Sequence, residues 1–344
     1  MELSERKKLV LAEIINSYIA TGEPIGSKAL CNMLGIAVSS ATLRNEMSEL
    51  CEMGYLEQPY TSAGRVPTSF GYRVYVHNLM KKESVPDTTR RTIDDLINKA
   101  ARDPQNLMQS AGQILTDLTG MPVIVTTDIS ENAYVKRVEM MPMGRRAMLI
   151  VLISSDGVMQ SRICRCDADL SVETAGLLQR VIEENLVGRE ISKITMPFSQ
   201  NLVAQSGQNS LLFMPFLAAV TEMAQSCGKA SINLKGESRI FTCYKNEKQV
   251  RGLLELLSCG NVLKHIVDLA KGTVDVVFGE DTGIDELKMS NAVVAEYKSG
   301  DSVAGKIGII GPARMPYKAI VPGIEYFAQK LSQAVTQAVC DLGD

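Results

Sequence analysis

The sequence of 344 residues has no tryptophan, and aromatic residues make up only 5% of it. It has just two histidines, His77 and His265, so little room is left for a Ser-His-Asp or Cys-His nucleophile set. No apolar run reaches the roughly 18 residues that a membrane-spanning helix needs. The first residues are charged and helical in pattern, without the apolar core of a signal peptide. We therefore expect a cytoplasmic protein that is not an enzyme and has no membrane partner.

Patterns for metals and disulfides are also missing. The eight cysteines are scattered through mostly apolar stretches, which argues against a disulfide framework. Cys164 and Cys166 lie on one face of a predicted strand with Arg165 opposite, but no second Cys or His pair completes a tetrahedral site. The paired carboxylates Asp94-Asp95 and Glu183-Glu184 are interpreted as solvated helix faces. We predict free thiols, no metal site, no catalytic residues and no cofactor.

One segment imitates a nucleotide-binding loop. Residues 300–306, GDSVAGK, have the spacing of a phosphate-binding loop, in which the residue after the lysine should be Ser or Thr to hold magnesium. That residue is Ile307, and a strand pattern follows instead of a helix. We interpret the segment as a turn between two strands, with a nucleotide-binding enzyme as the alternative.

Length and charge point to several domains with a local basic patch. An apolar fraction of 45% supports well-buried cores, and the length indicates two or three domains. The net charge of −3 does not indicate nucleic acid binding. Residues 1–82, however, hold nine basic and eight acidic residues, and the basic ones cluster at the two ends of the segment. The distribution of charge matters more than its sum for DNA binding.

The first 82 residues have the element order of a winged helix-turn-helix. A helix is predicted from Ser4, as N-cap, to Ala20, followed by Gly22 and Pro24 as stop signals. A second helix starts at Ser27 and ends by Gly35, and a third starts at Ser39 and ends by Gly54. Predicted strands at 55–60 and 66–70 flank a tight turn, and a further helix covers 71–82. Three helices followed by a β-hairpin are typical of a winged helix-turn-helix.

The rest of the chain predicts an α+β fold. Residues 87–119 have a helical pattern, with a restart at Asp103-Pro104. Strands are predicted at 121–129, 134–143, 146–154, 157–166, 272–280, 291–300 and 302–311. Helices are predicted at 172–188, over most of 195–258, and from Tyr317 to Leu342. Strands, then helices, then more strands indicate one α+β domain interrupted by an insertion.

The third helix carries the predicted DNA contacts. Leu43, Met47 and Leu50 form its buried stripe, and Asn45 points away from that stripe at 100° per residue. Arginine and asparagine read guanine and adenine edges, and the N-terminal backbone of a helix can meet a phosphate. The predicted DNA-binding residues are Ser39, Ser40, Ala41, Thr42, Arg44, Asn45, Ser48, Thr61, Ser62, Gly64, Arg65 and Arg73.

The predicted hairpin supplies the remaining contacts. Ala63-Gly64-Arg65 is taken as its tip, with Gly64 allowing the turn and Arg65 reaching a phosphate or the minor groove. Arg73 is interpreted as a phosphate contact or as a structural salt bridge to the wing. Tyr72 and Tyr75 are interpreted as core residues.

With these residues in view, the chain resembles the HrcA family of heat-inducible transcription repressors over nearly its whole length. The most specific segments are IATGEPIGSKAL (19–30), ATLRNEMSEL (41–50), LEQPYTSAGRVPTSFGYRVYV (56–76) and GIIGPARMPY (308–317). The family pattern differs at Tyr60, where His is usual, at Glu46 and Ser69, where Asp is usual, and at Ala313, where Thr is usual. The role of Arg314, in the last segment, is left open between a structural anchor and a contact to an anionic partner.

The resemblance implies a homodimer that binds an inverted-repeat operator, CIRCE, upstream of chaperone genes of the groE and dnaK type. It implies the GroE chaperonin as a partner that keeps the repressor active. The implied fold is a winged helix-turn-helix domain (1–82), a helical linker (83–120), a GAF-like domain in two parts (121–194 and 259–344) and an inserted, mainly helical dimerising domain (195–258). The alternative is a winged-helix regulator that a small ligand switches through the GAF-like domain.

Overall fold

The structure is a computed structural model that describes residues 3–35, 38–103, 106–127, 133–155, 158–227, 230–244 and 246–341. Pro104 and Leu342, predicted as a helix restart and a helix end, lie outside the described residues. The described residues form helices and three sheets, which agrees with the predicted α+β class.

The chain begins with three helices whose ends follow from their capping residues. They are α1 (Glu5–Thr21), α2 (Ser27–Leu34) and α3 (Ser40–Glu52). The Ser4 side chain accepts a hydrogen bond from the Lys7 N–H at 3.3 Å, and α1 stops at Gly22, whose φ of 72° favours glycine. Leu11, on the apolar face of α1, is fully buried. The three predicted helices are confirmed to within two residues at their ends.

The hairpin that follows is shorter than predicted. Its strands are β1 (Leu56–Glu57) and β2 (Val66–Pro67), paired antiparallel. Pro67 has no N–H to extend the pairing, and the Thr68 side chain accepts a hydrogen bond from the Gly71 N–H. That cap starts α4 (Ser69–Val74), which continues as a π-helix (Tyr75–Leu79). The predicted strand at 66–70 is therefore wrong beyond Pro67.

Two larger sheets lie in the rest of the chain. Their strands are β3 (Val123–Thr127), β4 (Val135–Pro142), β5 (Ala147–Ser154), β6 (Met159–Arg165), β7 (Ser231–Lys235), β8 (Val274–Phe278), β9 (Ser290–Ser299) and β10 (Ser302–Pro312). One sheet has the antiparallel order β7-β3-β10-β9-β8, and the other has the order β4-β5-β6. All seven strands predicted after residue 120 are confirmed, but β7 falls in a segment predicted to be helical.

Helices cover both sheets. They are α5 (Asp87–Ala100), α6 (Leu107–Thr119), α7 (Val172–Leu186), α8 (Met196–Gln205), α9 (Ser210–Cys227), α10 (Ile240–Cys243), α11 (Glu247–Leu257), α12 (Gly260–Leu269) and α13 (Tyr317–Asp341). One core joins α1–α4, α5 and α6 to α13 and one face of the five-stranded sheet. A second core, from α10 to α12, covers the other face. We name α1–α4 with the hairpin and π-helix the N-terminal unit, and the five-stranded sheet with α10–α13 the body.

The three-stranded sheet has a core of its own. The helices α7, α8 and α9 pack on it, with Ile150, Leu178 and Phe216 fully buried between them. This grouping differs from the predicted one. Strands β4, β5 and β6 do not pair with β3, although the sequence pattern placed all four in one run, and β7 returns to pair with β3. We name β4–β6 with α7–α9 the inserted unit.

One helix of the described chain, Gly207–Cys227, is long and apolar enough by composition to cross a membrane. Half of its most apolar window is buried inside the protein. Phe216, Val220 and Ala224 lie in the core of the inserted unit. A core helix passes the same compositional test, and these contacts are those of a core helix.

Candidate nucleic-acid interface

Helix α3 has one buried face and one exposed face. Leu43, Met47 and Leu50 are buried against α1 and α2, which confirms the predicted stripe. The opposite side, which we name the α3 face, consists of Ala41, Arg44, Asn45 and Ser48; the first three are exposed and Ser48 is half-buried. The amide of Asn45 and the guanidinium of Arg44 therefore point to solvent, as the 100° periodicity predicts.

The N-terminus of α3 is capped by its own side chains. The Ser39 hydroxyl accepts a hydrogen bond from the Thr42 N–H at 3.1 Å and lies 3.0 Å from the Thr42 hydroxyl. Ser39 is exposed and Ser40 is half-buried. The cap uses one of the N–H groups that a helix N-terminus leaves without an intrahelical partner. The others, on Ser40 and Ala41, are positioned for an anionic acceptor.

Two acidic residues of α3, Glu46 and Glu49, are paired with basic residues of α1. Glu46 is only 5% exposed, and its Oε1 accepts a hydrogen bond from the Arg6 Nε at 2.8 Å. Lys7 Nζ lies 3.8 Å from the same carboxylate and 2.7 Å from Glu49 Oε2. The bonded Glu49 carboxylate raises the pKa of Lys7. Arg6 and Lys7, predicted as part of a basic patch, instead fix α3 on α1 and leave the α3 face exposed.

The tip of the hairpin is earlier in the sequence than predicted. The Ala63 N–H donates to the Tyr60 carbonyl at 2.8 Å, closing a turn over Tyr60, Thr61 and Ser62. The Gln58 amide spans this turn, donating to the carbonyls of Thr61 at 2.8 Å and Ala63 at 3.0 Å. Tyr60, Thr61 and Ser62 are exposed, Tyr60 by 62%. The sequence analysis did not identify Gln58 and Tyr60 as residues that shape the tip. A polar side chain directly before a proline and a turn is a signal that could have indicated Gln58.

Gly64 and Arg65 lie at the base of the hairpin. The backbone of Arg65 pairs with Ile25 through two hydrogen bonds of 2.8 and 3.0 Å. A Cβ on Gly64 would lie 2.4 Å from the Ile25 carbonyl carbon, so glycine is required for this close approach and not for a positive φ. Arg65 Nε is buried. Burial of the Cys51 thiol raises its pKa, and the positive charge of Arg65 partly opposes that rise. The predicted tip position of Arg65 is wrong, and its half-buried guanidinium lies beside α3.

Arg73 is held by the body. Its Nη2 lies 2.7 Å from Asp281 Oδ1, and its guanidinium carbon lies 4.5 Å from the centre of the Phe278 ring. The prediction left a phosphate contact and a salt bridge to the wing open. The structure has a salt bridge, but its partner is Asp281 of the body and not a residue of the wing. Its partner lies 208 residues along the chain, so no local pattern could have identified it.

The two tyrosines beside Arg73 are core residues, as predicted. Tyr72 is 3% exposed and Tyr75 is 1% exposed. Burial raises the pKa of Tyr75 to about 12, and its hydroxyl donates to Asn16 Oδ1 at 2.5 Å. Burial also raises the pKa of Tyr72, which packs at 6.0 Å from the Tyr317 ring of the body. Tyr72 therefore joins the N-terminal unit to the body, Tyr75 packs within the N-terminal unit, and neither side chain is exposed.

The segments that imitate other sites have ordinary structural roles. Residues 300–306 form a hairpin, because β9 ends at Ser299, Gly300 has φ of 59° and β10 begins at Ser302. Cys164 Sγ lies 3.5 Å from the Pro215 carbonyl inside the inserted unit. Among the residues that the structure describes, no three His, Cys, Asp or Glu side chains are grouped to hold a metal ion.

Comparison with known proteins gives one consistent result. A family model described as the HrcA protein C-terminal domain matches residues 105–321. A heat-inducible transcription repressor HrcA from Acetivibrio thermocellus is 30% identical over 344 residues and covers 98% of both chains. Its counterpart from Symbiobacterium thermophilum is 28% identical, covering 96% of this chain and 98% of the relative. A crystal structure of a hypothetical protein has a TM-score of 0.69 at 21% identity, covering 98% of this chain and 100% of the other, which shows a shared fold.

Proposed function

The chain belongs to the HrcA family of heat-inducible transcription repressors, and on that premise we propose that it is a homodimeric, sequence-specific DNA-binding repressor of heat-shock chaperone genes. Its operator is an inverted repeat of the CIRCE type upstream of groE and dnaK type operons. It acts in the cytoplasm, and the GroE chaperonin keeps it in the active form.

The observation that carries this proposal is the division of α3 into a buried and an exposed face. Asn45 and Arg44, both exposed, are the side chains that contact base edges, and Ser48 lies on the same face. Phosphates bind at the N-terminus, where Ser39, Ser40, Ala41 and Thr42 present backbone and hydroxyl groups. In this assignment α2 and α3 form the helix-turn-helix and the hairpin is the wing.

The wing contributes through its tip. Thr61 and Ser62 donate hydrogen bonds to backbone oxygens of DNA, because both are exposed in the turn that Gln58 braces. Gly64 sets the path of the hairpin, and Arg65 adds charge from its base. Arg73 is removed from the set of DNA contacts, since its guanidinium is bound by Asp281.

We place the domain boundaries by the sheets. The winged helix-turn-helix is residues 1–82, and the linker is 83–120, as the sequence predicts. The GAF-like domain is the body, whose five-stranded sheet includes β3 and β7. The interrupting domain is the inserted unit, because its strands pair only with one another. This assignment moves the insertion from 195–258 to about 133–227, the span of the core of the inserted unit.

The inserted unit is the proposed dimerising domain. Met141, Leu149 and Ile163 lie opposite one another across β4, β5 and β6. We name them the outer sheet face, because the alternate residue Ile150 points into the core. Met141 is 46% exposed and Ile163 is 57% exposed. An apolar row on an exposed sheet favours a second copy of the chain as its cover, since two-fold related copies present the same surface to each other.

A binding titration tests the proposal. Fluorescence anisotropy with a CIRCE-type duplex and a scrambled duplex, each at two salt concentrations, measures affinity and specificity. We expect a dissociation constant of about 10⁻⁸ to 10⁻¹¹ M for the repeat and binding weaker by about 10³ or more for the scrambled duplex. Equal, weak binding of both duplexes by folded dimeric protein would contradict the proposal.

The chaperonin is tested in the same assay. Adding GroE should raise the fraction of protein that binds the repeat, and loading GroE with a denatured competitor protein should remove that gain. If the bound fraction is the same with and without GroE, the chaperonin is not the partner, whereas the DNA-binding proposal stands or fails on the titration alone.

A further inference from the structure

A short irregular segment connects the N-terminal unit to α5. We name residues 80–86 the strap, because they lie along the first turns of α13 without helix or strand of their own. The Glu83 N–H donates a hydrogen bond to the Lys318 carbonyl of α13 at 3.3 Å. An α-helical carbonyl normally accepts from the N–H four residues later, and this one accepts from outside the helix.

The proline in α13 explains why that carbonyl is available. Pro322, four residues after Lys318, lies inside the helix. Proline has no N–H, so it leaves the Lys318 carbonyl without its intrahelical donor. The Glu83 N–H donates to the Lys318 carbonyl instead. A proline in a helix is unfavourable by itself, and here the acceptor that it frees anchors the strap.

Side chains extend the attachment on both sides of this bond. Lys82 Nζ lies 2.9 Å from Glu325 Oε2, two turns beyond Lys318 along α13. The Tyr326 hydroxyl donates to the Asp94 carboxylate of α5 at 2.9 and 3.0 Å, and Lys330 lies 3.3 Å from the same group. The interpretation of Asp94 as part of a solvated surface is therefore wrong. Because both Lys82 and Glu325 are about half exposed, their ion pair adds less than the backbone bond and the Asp94 contacts.

Arg314 makes a second attachment just before α13. A Cβ on Gly22, at the end of α1, would lie 3.3 Å from Arg314 Nη1. The guanidinium therefore lies against the C-terminal turn of α1, where the helix dipole favours a positive charge. Arg314 lies two residues after the end of β10, and that strand is the centre of the five-stranded sheet. Arg314 therefore links the central strand of the sheet to the end of α1.

We propose that the start of α13 is a positioning platform for the N-terminal unit, with Arg314 holding α1 and the Lys318 carbonyl that Pro322 frees holding the strap. Neither residue touches DNA; each is a positioning residue that acts through the unit it holds. This inference rests on the proposed function, because the orientation of the two N-terminal units in a dimer decides which spacing of operator half-sites fits. The open role of Arg314 becomes that of an anchor.

The first test uses hydrogen exchange and no DNA. Pro322→Ala supplies the missing N–H, so the Lys318 carbonyl returns to the helix and releases Glu83. We expect exchange of the amides of the strap, measured by mass spectrometry, to become about tenfold faster or more, as local opening becomes easier. Pro215→Ala, at the proline inside α9, is the matched control and should leave the strap unchanged. Unchanged exchange of the strap in folded Pro322→Ala protein would overturn the inference.

The second test measures geometry instead of affinity alone. Wild-type protein, Arg314→Ala and Arg314→Lys are titrated on inverted repeats whose half-sites are separated by different numbers of base pairs. We expect the wild type to bind one separation more tightly than the others. The ratio of these affinities should fall about tenfold in Arg314→Ala and stay nearly unchanged in Arg314→Lys. An Arg314→Ala protein that keeps the full preference would overturn the role of Arg314. If the wild type binds no repeat at all, the proposed function fails, and hydrogen exchange still decides whether the platform exists.

Discussion

The α3 face and the outer sheet face differ in chemistry although both are exposed. The α3 face presents Arg44, Asn45 and Ser48, whereas the outer sheet face presents Met141, Leu149 and Ile163. Each surface lies opposite a well-buried stripe of the same element, so the fold itself does not require either of them. A polar surface with a helix N-terminus suits phosphates and base edges, and an apolar row suits a second copy of the chain. On this difference we base the proposal that the α3 face binds DNA and that the outer sheet face binds a second copy of the chain.

The largest effect is expected on the buried side of α3. Leu43→Ala removes a fully buried side chain from the core between α1, α2 and α3. We expect the free energy of unfolding to fall by about 2–5 kcal/mol, measured by urea denaturation. The matched control is Asn45→Ala, two residues along, which should change stability by about 0.5 kcal/mol or less. Equal losses for both would break the division of α3 into a core face and a binding face.

The next effect is expected at the outer sheet face. Ile163→Asp places a charge at the β6 end of the apolar row and should weaken the dimer by roughly 30-fold or more, the effect of losing a hot-spot interface residue. Sedimentation velocity measures the change. Val172→Asp is the matched control, because Val172 is 89% exposed but lies outside the sheet. A dimer that both substitutions leave intact would show that another surface holds the copies together.

A smaller effect sharpens the assignment of the α3 face. Asn45→Ala should lower discrimination between the operator and a scrambled duplex by about 1–3 kcal/mol, since a bidentate base contact is lost. The dimer and the affinity for scrambled DNA should stay as they are. Anisotropy titrations on both duplexes measure this. A parallel loss on the two duplexes would place Asn45 among the phosphate contacts and not among the base contacts.

The smallest effect is expected at Arg73. Its ion pair with Asp281 is partly exposed, so Arg73→Ala should cost at most about 1 kcal/mol of stability. The dependence of DNA affinity on salt should not change, because the side chain does not meet a phosphate. A weaker dependence of DNA affinity on salt in Arg73→Ala would restore Arg73 to the DNA contacts.

Local signals in the sequence were sufficient to predict most helices and strands and to predict which residues form the α3 face. Ser4 and Ser39 act as caps, Gly22 ends α1, and the period of Leu43, Met47 and Leu50 defines which side of α3 is buried. These features depend on neighbours within one or two turns. They are therefore readable without knowledge of the rest of the fold.

Contacts between distant segments were not readable. The pairs Arg6–Glu46 and Arg73–Asp281 join residues 40 and 208 positions apart, so no local pattern could identify the acidic partner in either pair. Gly64 was expected to serve a turn, but its requirement comes from the approach of Ile25. The division of β3 to β6 between two sheets depends on β7, a short edge strand within a segment of helical pattern.

The most direct measurement is the stoichiometry of the DNA complex, by mass photometry on a duplex with the full inverted repeat and on a duplex with one half-site. We predict two chains on the full repeat, and loss of tight binding to it in Ile163→Asp, which keeps its α3 face but has no partner copy. We expect the repressor to bind the repeat as a dimer, with one half-site on each of its two α3 faces. A single chain per full repeat with wild-type affinity, or undiminished binding by monomeric Ile163→Asp, would contradict it.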